Sequence, residues 1–202
     1  MKKHYHIWKL LIFDMFVIEF GPVGVFFIAY YLSSFSIAAV SLAVATFVSL
    51  VASKIINKRV PSFAIFSGTI TILTALITYY FKLPEVLIFK DTVYYLFFAS
   101  LLFLSIWKEK GLFKAFFGHI FAIEDKGWFV LERRWLVFFI LAGCSNEYVR
   151  NFLSDDDWVI YKQVVVFFFL GFGLYQFTIT SKYRLGETDK LGLRKFEGRN
   201  TD

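Results

Sequence analysis

Apolar residues run along this chain in long blocks separated by short charged stretches, and the blocks are too long for strands. A helix needs about 20 apolar residues to cross a hydrocarbon core of about 30 Å, at about 1.5 Å of rise per residue. Six blocks suit that length: Leu10–Leu32, Phe35–Ser53, Pro61–Phe81, Thr92–Trp107, Trp135–Leu153 and Trp158–Ser181. The fourth is short unless it starts within Val86–Phe89, and the first contains two carboxylates and a proline. The pattern predicts an all-α, polytopic integral membrane protein with six transmembrane helices, or five if the first is re-entrant. Residues 1–181 then form one transmembrane domain.

Between the fourth and fifth blocks lies the longest connection, residues 108–134. Leu112, Phe113, Phe116, Phe117, Ile120 and Ile123 recur there at helical spacing, with Lys114 and His119 off the stripe. Leu112–Ile123 therefore reads as one amphipathic helix, lying in the headgroup region or packed beneath the bundle by the same apolar face. The tail 182–202 alternates in charge and has few apolar residues, so it is expected to be disordered.

Composition agrees with the pattern. Of 202 residues, 58% are hydrophobic and only 19% charged, against roughly 45–50% apolar and about 25% charged in a soluble domain. Too little polar surface remains to cover a water-exposed globule. The net charge of +6 does not signal a nucleic-acid partner, because the basic residues separate hydrophobic blocks instead of gathering on one solvated face. Cys144 is the sole cysteine and reads as a packing residue. The N-terminus is expected to be retained, since Asp14, Glu19 and Pro22 interrupt its apolar stretch and no convincing cleavage site follows.

Charge also orients the chain. With the N-terminus in the cytoplasm, eighteen of the 22 Lys and Arg fall on the cytoplasmic side and four on the other. That asymmetry follows the enrichment of both residues in cytoplasmic loops, and it puts both termini inside. Trp8, Trp107, Trp135 and Trp158 mark expected helix ends, as an interfacial residue should, and Trp128 lies in the long loop. Asp155–Asp157 suit the start of the sixth helix as a cap and as negative charge.

Candidate chemistry is sparse. Ser41, Ala45, Ser49 and Ser53 share one helix face, as do Ser67, Thr71, Thr74 and Thr78. Such stripes line a polar path or, more commonly, let two helices approach closely. Charges inside spans are costly, about 2.5–3.5 kcal/mol at a helix centre, and so need a role or a partner. Glu19, about 14 Å into the first block and beside Pro22, reads as a proton-relay carboxylate, or as a carboxyl kept neutral or bonded to a neighbouring helix. Glu147 and Lys162 lie roughly 7–10 Å below the turn of the last hairpin. They meet across it with Asn146 nearby, or Lys162 extends to the surface while Glu147 pairs with Arg150 at i+3. His4, His6 and His119 are too scattered to ligate a metal. Enzyme motifs are missing from the sequence, and no catalytic, cofactor or metal site is expected.

The same residues carry a family resemblance. Glu19-Phe20-Gly21-Pro22 with Val25-Phe26-Phe27 near the start, Lys90 and Thr92, Asp125-Lys126-Gly127-Trp128, and Arg134-Trp135 with Phe138-Phe139 occur in a matching order with Asn146-Glu147 and Trp158-Val159-Ile160-Tyr161-Lys162. In order and spacing the stretch from Phe13 to Arg184 resembles the bacterial intracellular septation protein A family, also called the inner membrane-spanning protein YciB family. Ile88 and Asp91, the absence of a double glycine near Thr74–Ala75, and Gln163–Val165 depart from the family pattern.

The resemblance implies an inner-membrane protein of cell-envelope biogenesis, envelope integrity and septation. It implies contacts with membrane lipids and with other inner-membrane division or cell-wall elongation proteins, and no established catalytic residue. Members are often drawn with five spans. The motif positions nominated for function are Glu19, Pro22, Lys90, Thr92, Asp125, Gly127, Trp128, Arg134, Trp135, Asn146, Glu147, Trp158 and Lys162. The competing reading is a small transporter or lipid-handling protein that uses Glu19, Glu147 and Lys162.

Overall fold

The computed structural model describes residues 21–57, 60, 62–186 and 188–194, so Glu19 and the first part of the first predicted span, residues 10–20, lie outside the described residues. The helices are α1 (Gly21–Leu32), then α2 (Phe35–Asn57), α3 (Ser62–Phe81), α4 (Pro84–Trp107), α5 (Leu112–Phe117), α6 (Asp125–Phe152), α7 (Asp155–Tyr175) and α8 (Phe177–Lys182). The all-α class holds, and only isolated bridges supplement the helices among the described residues. Among the described residues, three apolar helical stretches are long enough to cross a membrane: Phe35–Ile56, Pro84–Trp107 and Asp155–Lys182. Gly21–Leu32 and Ile65–Phe81 are shorter apolar helices.

Several boundaries differ from expectation, each for a local reason. α4 begins at Pro84 instead of Thr92, because proline suits the first helical position and Glu85 adds favourable charge to the first turn. Lys82, at φ 54°, makes the sharp turn from α3. Lys90 and Thr92 are therefore residues within a helix, not at its start. α6 begins at Asp125, ahead of Trp135, so residues 125–134 extend a helix that the charges there had suggested was loop. The amphipathic helix is shorter than Leu112–Ile123. α5 stops at Phe117 before Gly118, and Phe121 and Ile123 enter bridges with the tail instead. The tail, expected to be disordered, is folded through Arg194 wherever it is described.

The chain divides into two compact units, Met1–Lys90 and Asp91–Asp202. In the first, α2 and α3 pack closely. Ala38, Ala39 and Ala75 are fully buried, and a Cβ on Gly68 would come within 2.9 Å of Leu50 Cδ1. Ser53 and Thr78, one from each small-residue stripe, are buried as well. At the α1–α2 joint the Phe26 and Phe35 rings meet edge-on at 5.6 Å.

In the second unit, α6 packs against α5, α7 and α8. Its middle is aromatic. Trp135 stands 5.0 Å from Phe172, and Phe138 stacks on Phe172 at 4.7 Å. Toward one end, Ile123, Trp128, Leu131 and Ile179 form a buried cluster. Gly127 is required there, since a Cβ would sit 2.7 Å from Tyr183 Cβ. The α6–α7 turn is closed by a capping box in which Ser154, and not an aspartate, is the N-cap and Asp157 returns the bond.

Candidate functional site

The motif residues from Thr92 onward gather at the two ends of α6. Near the α6–α7 turn, α4 supplies Asp91 and Thr92, α6 supplies Asn146, Glu147 and Arg150, and α7 supplies Trp158 and Lys162. Asn146 is completely buried and Trp158 almost so. The Trp158 indole N–H donates to Asn146 Oδ1 at 3.0 Å, Asn146 Nδ2 donates to Thr92 Oγ1 at 2.8 Å, and the Thr92 hydroxyl donates to Glu147 Oε1 at 2.5 Å. Glu147 is held from its other side by a forked pair with Arg150, at 2.6 Å from Nη2 and 3.1 Å from Nε. Asn151 Nδ2 adds a bond to the same carboxylate at 3.2 Å. One chain of donors and acceptors thus runs from α7 through α6 to α4 and back to the surface end of α6.

Lys162 does not meet Glu147. It forms an ion pair with Asp91 of α4, whose side chain is only 9% exposed, and does not extend to the surface. The Tyr95 and Tyr161 side chains adjoin that pair, and Tyr161 shares a 2.7 Å hydrogen bond with Ser145. The reason is position: Asp91 and Lys162 each lie one to two turns into their helices, whereas Glu147 has Arg150 on its own face at i+3. Trp158 lies in the first turn of α7, as expected for a helix end, and its indole N–H satisfies a buried amide.

At the other end of α6, Trp128 is buried in the Ile123–Leu131–Ile179 cluster, while Asp125 is exposed and bonds Lys114 at 2.5 Å. Arg134 Cζ stands 5.0 Å from the centre of the Tyr175 ring. The best-buried charge here is Glu132, at 2% exposed, which the sequence reading had not nominated. Its Oε2 accepts from the Ser105 hydroxyl at 3.0 Å and its Oε1 from the Phe113 amide at 2.8 Å, while the Leu112 amide donates to Ser105 Oγ at 2.9 Å. Glu132 thereby ties α4, α5 and α6 together. Its signal was available: Trp128, Glu132 and Trp135 lie at i, i+4 and i+7, one helical stripe.

Pro22 and Lys90 belong to the first unit, where Lys90 Nζ donates to Thr71 Oγ1 at 3.4 Å. No group of His, Cys, Asp and Glu among the described residues is arranged to hold a metal ion. Asp91, Glu132, Glu147 and Lys162 of the second unit form locks between helices, each facing an opposite charge or several hydrogen-bond donors, whereas Arg134 Nη1 and Gln176 Oε1 are buried without a hydrogen-bond partner.

The family described as intracellular septation protein A matches residues 15–187 of the chain. An inner membrane-spanning protein YciB of Pasteurella multocida is 34% identical over 170 residues, covering 83% of this chain and 91% of that protein. One of Histophilus somni is 30% identical over 168 residues, covering 83% and 92%. A third, of Yersinia pestis, is 31% identical over 147 residues, covering 72% and 82%. No solved structure matches.

Proposed function

The chain belongs to the intracellular septation protein A family, and on that premise we propose that it is a non-catalytic inner-membrane component of envelope biogenesis, envelope integrity and septation. It acts by lateral binding of other membrane proteins, among them division or cell-wall elongation proteins. Both termini lie in the cytoplasm, which is the side that receives eighteen of its 22 Lys and Arg.

One observation carries this reading. The intramembrane polar groups are used against one another, in the Trp158–Asn146–Thr92–Glu147–Arg150 chain and the Asp91–Lys162 pair. Large apolar side chains such as Phe47, Val48, Phe167 and Leu174 are left facing outward. Buried polar networks with every member satisfied fix helix register, which is what a scaffold presenting defined faces to lipid and to partner helices requires. A transport site built on Glu147 and Lys162 would instead have to break both pairs at each cycle.

The test is a deletion strain complemented by the intact gene or by Asn146→Leu, Glu147→Gln and Lys162→Met variants, scored for envelope leakage and cell length. A gentle-detergent pull-down of each variant accompanies it. The expected outcome is loss of rescue together with loss of division or wall-synthesis proteins from the pull-down. Recovery of no such protein by the intact chain would sink the proposal. Solute or lipid flux in proteoliposomes that is abolished by Glu147→Gln would replace it with the transporter reading.

A further inference from the structure

Residues 120–124 and the tail are separated in sequence by all of α6, α7 and α8, yet they form one short antiparallel ladder. The Ala122 amide donates to Gly192 O at 3.0 Å and the Arg194 amide to Ile120 O at 2.9 Å. Farther along the same edge, the Leu185 amide donates to Ala122 O at 3.0 Å and the Glu124 amide to Tyr183 O at 2.9 Å. Arg194 Nε adds a bond to Gly118 O at 2.8 Å. The tail therefore fills one edge of residues 120–124 with two short pieces, Tyr183–Leu185 and Gly192–Arg194. Asp189 organises the return, accepting from the Leu191 and Leu193 amides at 2.8 and 2.9 Å.

Apart from Tyr183, which packs against the Trp128 cluster, what holds the tail is main chain. Leu185 and Leu191 remain 45% and 42% exposed, so neither anchors it in an apolar pocket. The exacting position is Gly192. Its φ is +79°, and a Cβ there would lie 2.6 Å from Thr180 O and 3.2 Å from Ile123 Cγ2. Backbone bonds along an edge with one sequence-selective contact are the mode by which an extended peptide adds to a sheet. Beneath that edge lies Ile123, part of the Trp128 cluster. The second piece also lies beyond the family match, which ends at residue 187.

We propose that the Ile120–Glu124 edge is a strand-addition site occupied in cis by the chain's own tail, which competes there with extended peptides of the form apolar–Gly–apolar, as in Leu191-Gly192-Leu193. Release of the tail leaves the amides of Ala122 and Glu124 and the carbonyls of Ile120 and Ala122 unpaired, while the interhelical locks of α4, α6 and α7 are untouched.

Amide hydrogen exchange on the full chain in nanodiscs, and on a chain ended after Lys182, tests this. In the shortened chain, exchange at Ala122 and Glu124 is expected to accelerate at least tenfold, with α4, α6 and α7 unchanged. A synthetic peptide of residues 183–202 added in trans restores protection, and the same peptide carrying Gly192→Val does not. If the shortened chain does not fold, Gly192→Val in the full chain gives the same reading at the same two amides. Unchanged exchange at those amides, loss of protection spreading through α6, or failure of the peptide to restore it overturns the proposal.

Discussion

The Asp91–Lys162 pair allows a double-mutant test with a worked magnitude. Asp91 is seven residues past Pro84 and Lys162 seven past Asp155, so each charge sits about 10 Å into its helix. Their side chains are 9% and 19% exposed. Removing one partner leaves the other charge in a medium that solvates it poorly, a loss of about 3–5 kcal/mol when the pair is fully buried. The residual exposure and the neighbouring Tyr95 and Tyr161 hydroxyls lower that cost.

Lys162→Met and Asp91→Asn are each expected to destabilise the protein by about 2–4 kcal/mol. The double variant removes both charges at once and is expected to recover at least half of the summed loss, a coupling above about 1.5 kcal/mol. Equilibrium unfolding in mixed detergent–dodecyl sulfate micelles, followed by far-ultraviolet circular dichroism, measures all four corners of the cycle. Additivity within about 0.5 kcal/mol would refute the reasoning, because it would mean that the two groups do not stabilise one another.

Other expectations follow from single contacts. Trp158→Phe keeps the ring but removes the donor to fully buried Asn146 Oδ1, and should cost about 1–3 kcal/mol in the same unfolding assay. Gly127→Ala forces a Cβ to within 2.7 Å of Tyr183 Cβ, so a loss of about 1–3 kcal/mol is expected, read as a lowered thermal midpoint. Glu132→Leu strips the acceptor from Ser105 and from the Phe113 amide. Exchange at Phe113 should rise at least tenfold while the middle of α7 stays protected.

Much of the helical architecture was legible because apolar block length is a local property. α2, α3 and most of α7 were placed within a few residues of their observed bounds. Local rules also recovered the Glu147–Arg150 pair, since i+3 neighbours share a helix face. The misplaced starts of α4 and α6 have a common cause: charges lying within a helix, Asp91 and Glu132 among them buried, were read as its boundary. Lys90 and Asp91 made the start of α4 look like loop, and Glu132, Arg133 and Arg134 did the same for α6. The Asp91–Lys162 and Ser105–Glu132 contacts join residues that only the tertiary fold brings together. The ladder between 120–124 and the tail depends on backbone bonds, which composition does not encode.

The length of α6 has a mechanical consequence. At 28 residues it measures about 42 Å, well over the hydrocarbon thickness of about 30 Å. Asn146 and Glu132 sit on that single rod about 21 Å apart, one gripped by α4 and α7 near the hairpin turn, the other by α4 and α5. A rod clamped at two heights cannot slide or rotate at one end without straining the other. Tilting it by about 10° would swing its far end by about 7 Å. Pulling on the hairpin turn and a displacement at the Glu132 end therefore load the same stiff element, so a disturbance at one end of α6 has a direct route to the other.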